Sequence, residues 1–379
     1  MQKNLAAMNL KKTLFIIGLF LLQVKISTAQ LNNNIFNNPI AINKLDSGKF
    51  EFSAHVLNYM RNTEYFNKIE LGRTLFGVQF HPNFSYQPSP YFKIQAGLFL
   101  RSDFGGESYI TQAIPTFTVK TKYNNLEMLF GTLEGASNHQ MIEPLFDIAR
   151  TIENRIENGF QLKYINEKTF FDAWINWEKF IERGTPHKEK FTAGVNFTKS
   201  LFNPNKKFDL QGICQGMLSH AGGQIDADTI NPLTMQANYT LGAKAIYKVN
   251  TKNSVTVDAY FLGYKDTGDS TFIPFNQGSA VYSNISYQNR QFQFMLSYFV
   301  SNDFIAPRGT AIYQSQSIDN PKHFETTRQL VIPRIIYHTE LFNQLKMSAR
   351  FEPVYDLEKR FLDYSYSFYL SYNINKKLN

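Results

Sequence analysis

Residues 234–247, which read TMQANYTLGAKAIY, carry the pattern that best indicates the fold of this chain. Every second side chain in it is apolar, and the side chains between them are small, polar or charged. Because the side chains of a β-strand point alternately to opposite faces, this pattern predicts a strand with one apolar and one polar face. The alternation runs longer than a soluble strand of about five or six residues, and about ten tilted residues cross a bilayer.

The same alternation recurs at residues 191–198, 291–298, 344–353 and 364–374. One such segment would mean little, but a chain built from them predicts an all-β fold. We interpret it as a transmembrane antiparallel up-and-down β-barrel, with lipid outside and water inside. The expected number of strands is about 16, within a range of roughly 14–18, because four prolines fall inside proposed strands, where each removes a backbone donor.

The first 29 residues have the features of a secretory signal peptide. Two lysines precede an apolar run at residues 13–24, and small residues lead to a cleavage point after Ala29. The apolar run is too short for a comfortable membrane helix. The chain is therefore divided into a signal peptide at 1–29, a loosely held periplasmic lead-in at 30–48 and a transmembrane β-barrel at 49–379.

The charge and the cysteine content exclude some classes of partner. The formal net charge is +8, but four lysines of this total lie in the predicted signal peptide. Lysine and arginine do not form runs elsewhere, so we predict no nucleic-acid partner. The single cysteine, Cys214, cannot form an internal disulfide bond, and we expect it to be a small packing or lipid-facing residue.

The connections between predicted strands alternate between short turns and long loops. In barrels of this kind the short turns belong on the periplasmic side and the long loops outside. An even number of strands then places both termini in the periplasm. Together with the signal peptide, this predicts a location in the outer membrane of a Gram-negative bacterium, surrounded by outer-membrane lipid.

If the apolar face points outward, charged side chains fall on the inward face. This placement is favourable, since a charge on the lipid face costs roughly 2–4 kcal/mol near the midplane. Acids on strands 7, 9 and 11 would face bases on strands 14 and 15 across the ring, which predicts a transverse field; inter-strand salt bridges are the alternative. The proposed pore-lining residues are Lys244, Arg334, Lys346, Arg350, Asp172, Glu178, Asp209, Asp258 and Glu352.

A long, charged loop at residues 135–157 follows the fifth predicted strand. In its signal peptide, strand number, turn alternation and acidic third loop, the chain resembles the sixteen-stranded general porins of outer membranes. The resemblance implies an inward-folded loop that narrows the channel opposite Arg334, Lys346 and Arg350, and a possible homotrimer. A solvated external loop is the alternative. The proposed constriction residues are Glu143, Asp147, Arg150, Glu153 and Arg155.

From this resemblance we predict passive diffusion of small hydrophilic solutes or ions, without a cofactor and without a metal. We also predict that the chain is not an enzyme, because it contains neither a GxSxG nor an HExxH motif. Two alternatives stay open. One is a non-transport accessory barrel of a secretion or surface-assembly complex, and the other is an outer-membrane hydrolase that modifies lipid.

Two groups of residues were weighed as reactive sites. Residues 137–139 read Ser-Asn-His, which are the residue types of a hydrolytic triad, although neighbours in sequence seldom adopt triad geometry. His220 with Asp226 and Asp228 could bind a metal ion. Polar external loops often have such compositions by chance, so neither group changes the prediction.

Overall fold

The computed structural model describes residues 31–202, 204, 206–223, 225–228, 230–268 and 273–378, so the predicted signal peptide lies outside the described residues. Sixteen strands make up most of this part of the chain. They are β1 (Lys49–Glu64), β2 (Arg73–Ser89), β3 (Phe92–Asp103), β4 (Gln112–Tyr123), β5 (Leu126–Thr132), β6 (Asn158–Ile165), β7 (Thr169–Lys179), β8 (Glu189–Ser200), β9 (Phe208–Gly222), β10 (Thr234–Lys248), β11 (Ser254–Asp266), β12 (Gln277–Gln288), β13 (Phe292–Asn302), β14 (Thr327–Phe342), β15 (Leu345–Asp356) and β16 (Phe361–Leu378).

The strands form one closed antiparallel barrel in which each strand pairs with its neighbours in sequence. The barrel is closed by β1 and β16, whose register runs from Phe50 opposite Leu378 to Glu64 opposite Tyr364. Closure gives every strand a partner strand on both sides, which is the condition for a sheet to lie in lipid. The predicted fold class and the predicted sixteen strands are confirmed.

The alternation that predicted the strands separates the two faces of the wall. In β10, the outward Tyr239 and Leu241 are 51% and 60% exposed, whereas the inward Thr240 and Lys244 are 0% and 5% exposed. Because water does not hydrate the outer face in a membrane, this exposure of large apolar side chains marks a lipid-facing surface. Cys214 of β9 is also exposed on this outer face.

Helical structure is sparse. Short 3₁₀ turns occur at Asn34–Phe36, Lys44–Asp46, Ala136–His139 and Ala311–Tyr313, and a single α-helical turn, α1, covers Arg150–Glu153. Among the residues that the structure describes, no helix has the length and apolarity needed to cross a membrane.

The N-terminal segment, residues 31–48, contacts the inner wall of the barrel. Leu31 packs with Met295 and Ile336, and Phe36 packs edge-on against Tyr369 at a ring-centroid distance of 4.8 Å. Further along the segment, the Lys120 ammonium donates to the Ile40 carbonyl oxygen at 2.8 Å. The first half of the predicted periplasmic lead-in therefore lies inside the lumen.

Two long connections also fold into the lumen and meet there. The inward loop at 133–157 joins β5 to β6, and a second loop at 303–326 joins β13 to β14. The Asp147 backbone N–H donates to the Arg308 carbonyl oxygen at 2.7 Å, and the Thr310 N–H donates to the Glu143 carbonyl oxygen at 3.0 Å. Buried side chains of the two loops share one apolar cluster with residues of β9 and β11 to β15. A sixteen-stranded barrel leaves an aqueous channel unless something fills it, and these segments fill much of the lumen.

Candidate functional site

The candidate site lies where the inward loop leaves the wall. The two ends of the loop are held together by a hydrogen bond from the Leu133 N–H to the Glu157 carbonyl oxygen at 2.8 Å. A Cβ on Gly135 would lie 2.7 Å from the carboxyl carbon of Glu157, so glycine is needed for this close approach. The chain can therefore turn from the wall directly into the lumen.

His139 is the centre of a buried polar cluster, the His139 cluster, which also contains Glu157, Asp172 and Trp174. The His139 ring places Nδ1 2.8 Å from Asp172 Oδ2 and Nε2 3.1 Å from Glu157 Oε2. Its plane stacks on Trp174 at a centroid distance of 3.5 Å. The His139 side chain is 0% exposed, so its orientation is fixed on all sides.

The two carboxylates decide the charge of this histidine. Burial disfavours the imidazolium, but Glu157 and Asp172 outweigh that effect and raise the pKa of His139 to about 9. Both ring nitrogens then donate hydrogen bonds. A histidine that is charged at neutral pH, with both nitrogens engaged, cannot accept a proton as a general base. We therefore assign His139 a structural role.

A second buried layer extends this cluster towards β4. The Glu134 carboxylate accepts from the Lys120 and Lys163 ammonium groups, both at 2.6 Å. Burial favours the neutral acid, yet the two lysines lower the pKa of Glu134 to about 2. Gln161 links the layers, because its amide donates to the Asp172 carboxylate at 2.9 Å and its oxygen accepts the Glu134 N–H at 3.0 Å.

The inward loop also reaches the opposite wall. Glu143 Oε2 lies 2.7 Å from Arg334 Nη2, and Arg334 Nε lies 3.1 Å from Glu352 Oε1. The hydroxyl groups of Tyr282 and Tyr313 donate to the same Glu143 oxygen at 3.1 and 3.3 Å. Burial raises the pKa of Glu143, although Arg334 opposes the shift. The structure thus brings together three of the residues that the sequence analysis proposed for a constriction and a pore lining.

The other proposed constriction residues contact separate partners around the lumen. Asp147 lies 4.0 Å from Arg61, Arg150 lies 3.8 Å from Glu178, and Glu153 lies 2.6 Å from Arg73. The remaining contacts are from Arg155 to the Phe36 carbonyl oxygen at 2.7 Å and from Arg350 to Asn33 Oδ1 at 2.9 Å. Each charge is therefore held by a local contact with another loop, the wall or the N-terminal segment.

The last proposed pore-lining residues lie on the inner face of the wall. Lys244 is opposite Asp258 in the register of β10 and β11, and Asp258 accepts from the Asn284 amide at 2.6 Å. Asp209 accepts from the Gln211 amide at 2.8 Å. Lys346 is opposite Glu340 in the register of β14 and β15. The pairs Lys244–Asp258, Asp258–Asn284 and Lys346–Glu340 join neighbouring strands, whereas Asp209 and Gln211 both lie on β9.

A cavity of about 60 Å³ lies between the N-terminal segment and the inward loop. Ser137 and Glu143 both line it, together with Asn33 and Asn37 of the N-terminal segment. The Ser137 hydroxyl donates to Asn37 Oδ1 at 2.6 Å. The hydrogen bonds from Arg334, Tyr282 and Tyr313 to Glu143 all end on Oε2. A carboxylate, a hydroxyl and amides in one enclosed space are the groups used in acyl-ester hydrolysis.

Neither of the two reactive groups considered in the sequence has the geometry that its chemistry requires. The Ser137 hydroxyl points to Asn37 and the His139 ring to two carboxylates, so residues 137–139 do not form a triad. Near His220, the Lys188 ammonium lies 3.0 Å from Asp226 Oδ1 and occupies the position that a cation would take. Among the described residues no group of three or more histidine, cysteine, aspartate or glutamate side chains is placed to hold a metal ion.

Solved structures with the same fold are outer-membrane barrels. A loop L8 deletion mutant of OmpT, an outer membrane protein of Vibrio cholerae, has a TM-score of 0.52 at 10% identity, covering 87% of this chain and 100% of that chain. Outer-membrane expressed OmpT of Vibrio cholerae has a TM-score of 0.51 at 9% identity, covering 88% and 100%. OprD of Pseudomonas aeruginosa has a TM-score of 0.48 at 12% identity, covering 86% and 94%. These identities indicate a shared fold alone, the porin-like outer-membrane barrel that the sequence analysis predicted.

A comparison with family models gives information on activity. No curated protein matches the sequence. Residues 42–379, which include the whole barrel, match the family described as lipid A 3'-O-deacylase-type. This match overturns the prediction that the chain is not an enzyme, which was wrong because it rested on short linear motifs, whereas a site on a barrel is assembled from distant strands and loops. By a match that extends over nearly the whole chain, the protein belongs to the lipid A 3'-O-deacylase-type family.

Proposed function

We propose that the protein is an outer-membrane hydrolase that releases an ester-linked acyl chain from a glycolipid of the lipid A type. The observation that carries this proposal is the family match over residues 42–379. The filled lumen supports it, because packed loops in a sixteen-stranded barrel suit a fixed reaction site better than a wide aqueous channel. Of the alternatives drawn from the sequence, this is the lipid-modifying hydrolase.

The cavity lined by Ser137 and Glu143 is the proposed reaction site. Glu143 Oε1 would accept a proton from a water molecule, and the resulting hydroxide would attack the ester carbonyl carbon. Burial raises the pKa of Glu143, which strengthens the carboxylate as a base near neutral pH. Arg334 and the two tyrosines hold the other oxygen of Glu143 and so fix its direction.

Polar groups on the other side of the cavity would stabilise the oxyanion. Arg350 donates to Asn33 Oδ1 at 2.9 Å, which orients the amide and leaves its NH₂ group to donate elsewhere. The Asn37 amide, which is oriented by the hydrogen bond that its oxygen accepts from the Ser137 hydroxyl, is a second donor group in the same cavity. Donors that are fixed before the reaction stabilise developing charge without reorganisation. When the tetrahedral intermediate collapses, the C–O bond of the ester breaks, the glycolipid hydroxyl leaves with a proton and the fatty acid is released.

The test is hydrolysis by the purified protein in vesicles that contain hexa-acylated lipid A, with mass spectrometry of the glycolipid and of the released fatty acid. We expect one acyl chain to be lost, and Glu143→Gln to reduce the rate by about 10²–10⁴-fold, the range typical of a lost general base. Glu352→Gln is the matched control, because Glu352 also pairs with Arg334 but does not line the cavity. An intact glycolipid with the wild-type protein would refute the function, and equal rates in the two variants would refute the assignment of Glu143.

The orientation and the assembly state remain predictions from the sequence. We place the ends of the barrel with short turns in the periplasm and the ends with long loops outside, which puts both termini in the periplasm. Passive diffusion of small hydrophilic solutes, a homotrimer and an accessory role in a surface complex each stay predictions. The filled lumen does not favour diffusion over hydrolysis.

A further inference from the structure

We propose that an acyl chain of an outer-leaflet lipid enters the lumen sideways, over the low part of the wall formed by β5 and β6. The identity of this lipid as the substrate rests on the proposed function, but the entry route rests on the wall itself. Three observations support the route: the length of these two strands, the gap above them and the apolar side chains directly behind that gap.

The first observation is strand length. β5 has seven residues and β6 has eight, whereas every other strand has 11 or more. At about 3.3 Å per residue, seven residues measure about 23 Å, and a tilt of about 40° leaves about 18 Å of height. The apolar band of such barrels is about 25 Å tall. Since β5 begins at a short turn and β6 ends at one, their missing height lies at the loop end of the barrel.

The second observation is the gap that these short strands leave, here called the notch. β5 pairs with β4 only from Thr118 to Tyr123, so residues 112–117 of β4 have no β5 partner. On the other side, β6 pairs with β7 only up to Asn176. Within this stretch, which is fully described, the loop end of the wall between β4 and β7 has no paired strands, and the chain between β5 and β6 is the inward loop.

The chain leaves the wall at two glycines that set the height of the notch. Gly131 has a φ of 97° and Gly159 a φ of 157°, and a Cβ at either position would lie within 2.1 Å of a backbone oxygen of the neighbouring strand. The two glycines are directly opposite in register, one residue from the strand ends at Thr132 and Asn158. The low wall is thus determined by specific residues of the sequence.

The third observation is an apolar cluster immediately inside the notch. Leu133, Phe146, Trp174 and Met217 are all buried and pack together, with Met141 beside them. Phe146 and Met141 also line the cavity that contains Ser137 and Glu143. The elements from the membrane inward are therefore the notch, an apolar cluster and the proposed reaction site. An acyl chain matches this apolar lining, whereas a hydrophilic solute does not.

The outer edge of the notch carries aromatic side chains. Phe130 of β5 and Phe160 of β6 are directly opposite in register, and Phe130 is 66% exposed. Phe117 of β4 lies beside them and is also exposed. Aromatic residues concentrate where barrels meet the lipid interface. Their presence at the top of the two short strands indicates that the lipid interface of this side lies low, at the level of the notch.

The experiment places a single tryptophan as a reporter of acyl chains. In a Trp174→Phe, Trp177→Phe background without native tryptophan, one reporter is introduced at Phe146→Trp, behind the notch. Two matched reporters are Phe294→Trp on the lipid face of β13 and Phe299→Trp, which is 0% exposed on the inner face of the same strand. Each protein is reconstituted in vesicles of phosphatidylethanolamine whose acyl chains carry bromine, which quenches tryptophan emission on contact.

We expect bromine to quench the emission of the tryptophans introduced at positions 294 and 146, and not the emission of the one at position 299. Asn158→Arg, which places a charged side chain in the notch, should reduce quenching at 146 by at least twofold and leave 294 unchanged. Quenching at 146 as low as at 299 would overturn the route. If Phe146→Trp does not give a folded barrel, judged by heat-dependent mobility in a gel, Leu133→Trp replaces it.

This result is separable from the proposed function. Quenching at 146 without acyl release from lipid A would keep the lateral route and refute the hydrolase. Acyl release without quenching at 146 would keep the hydrolase and refute the route.

Discussion

The two sides of the barrel provide hydrogen-bond partners for their backbone groups in different ways. On one side, β16, β1 and β2 have 18, 16 and 17 residues and pair along almost their full length. On the other side, β5 and β6 have seven and eight. Every backbone polar group at membrane depth needs a partner. The long strands provide these partners for each other, and above the short strands the inward loop must provide them.

The side chains on the inner face also differ between the two sides. The inner face of β16 carries small residues, among them Ser365, Ser367 and Ser371, and this leaves room for the N-terminal segment against Tyr369. On the inner side of β5 to β7, Asp172 of β7 instead holds His139 of the inward loop, which also pairs with Glu157 at the end of that loop. The long-strand side is therefore a self-sufficient wall, and the short-strand side depends on a few buried ionic contacts.

The largest effect on stability is expected from His139→Ala. Removing the imidazolium leaves the carboxylates of Asp172 and Glu157 buried and uncompensated, which typically costs about 3–5 kcal/mol. Urea unfolding of the reconstituted protein, followed by gel mobility, measures the loss. The triple variant His139→Ala, Asp172→Asn, Glu157→Gln should recover part of it, since it removes the unpaired charges. A loss below about 1 kcal/mol for the single variant would mean that the cluster does not anchor the loop.

The second effect is a loss of stability at alkaline pH. The folded-state pKa of His139 is about 9, which is above its ordinary value of 6.5. The charged ring therefore contributes its full stability below about pH 6.5, and the contribution is lost as the pH rises through 9, to a total of at most about 3 kcal/mol. Urea midpoints between pH 6 and pH 9.5 give the slope. The urea midpoint of a His139→Gln variant should change less with pH over this range. An equal slope in the variant and the wild-type protein would contradict the assignment of this pH dependence to His139.

The third effect tests the glycine that sets the low wall. Gly131→Ala places a Cβ at a φ of 97° and 2.1 Å from the Phe117 carbonyl oxygen, so we expect a loss of about 1–3 kcal/mol. Gly212→Ala on β9 is the matched control, because its Cβ would meet no atom within 4 Å. Its stability should change by less than about 0.5 kcal/mol. Equal urea midpoints in the two variants would show that the strand end at Gly131 is not strained.

The sequence predicted the wall well because alternation is a local property. The parity of β10, read from residues 234–247, agrees with the observed faces from Tyr239 to Lys244. Strand lengths were less accessible, because no local signal separates a strand that continues from one that stops. The end of β5 at Thr132, after seven residues, is an example.

The contents of the lumen could be predicted only in part. The meeting of Glu143 with Arg334 was expected from the resemblance to porins, but as a constriction of an open channel and not as part of a packed interior. The His139 cluster was missed, since its partners Glu157 and Asp172 are 18 and 33 residues away and only the fold places them side by side. The one available signal was the inward parity of Asp172, an acid that needs a buried partner.

The smallest effect concerns the aromatic edge of the notch and distinguishes the two sides most directly. Phe130→Ala removes the most exposed ring at the top of β5, and we expect KM for lipid A in vesicles to rise about three- to tenfold with kcat nearly unchanged, because only uniform binding along the route is lost. Phe294→Ala, on the lipid face of β13 far from the notch, is the control and should leave both constants unchanged. If both variants change KM equally, the aromatic rings act through general anchoring in lipid. If only Phe130→Ala raises KM, the lipid binds at the low side of the wall. The short strands β5 and β6 then serve substrate binding, although they lack the full backbone pairing of β16, β1 and β2.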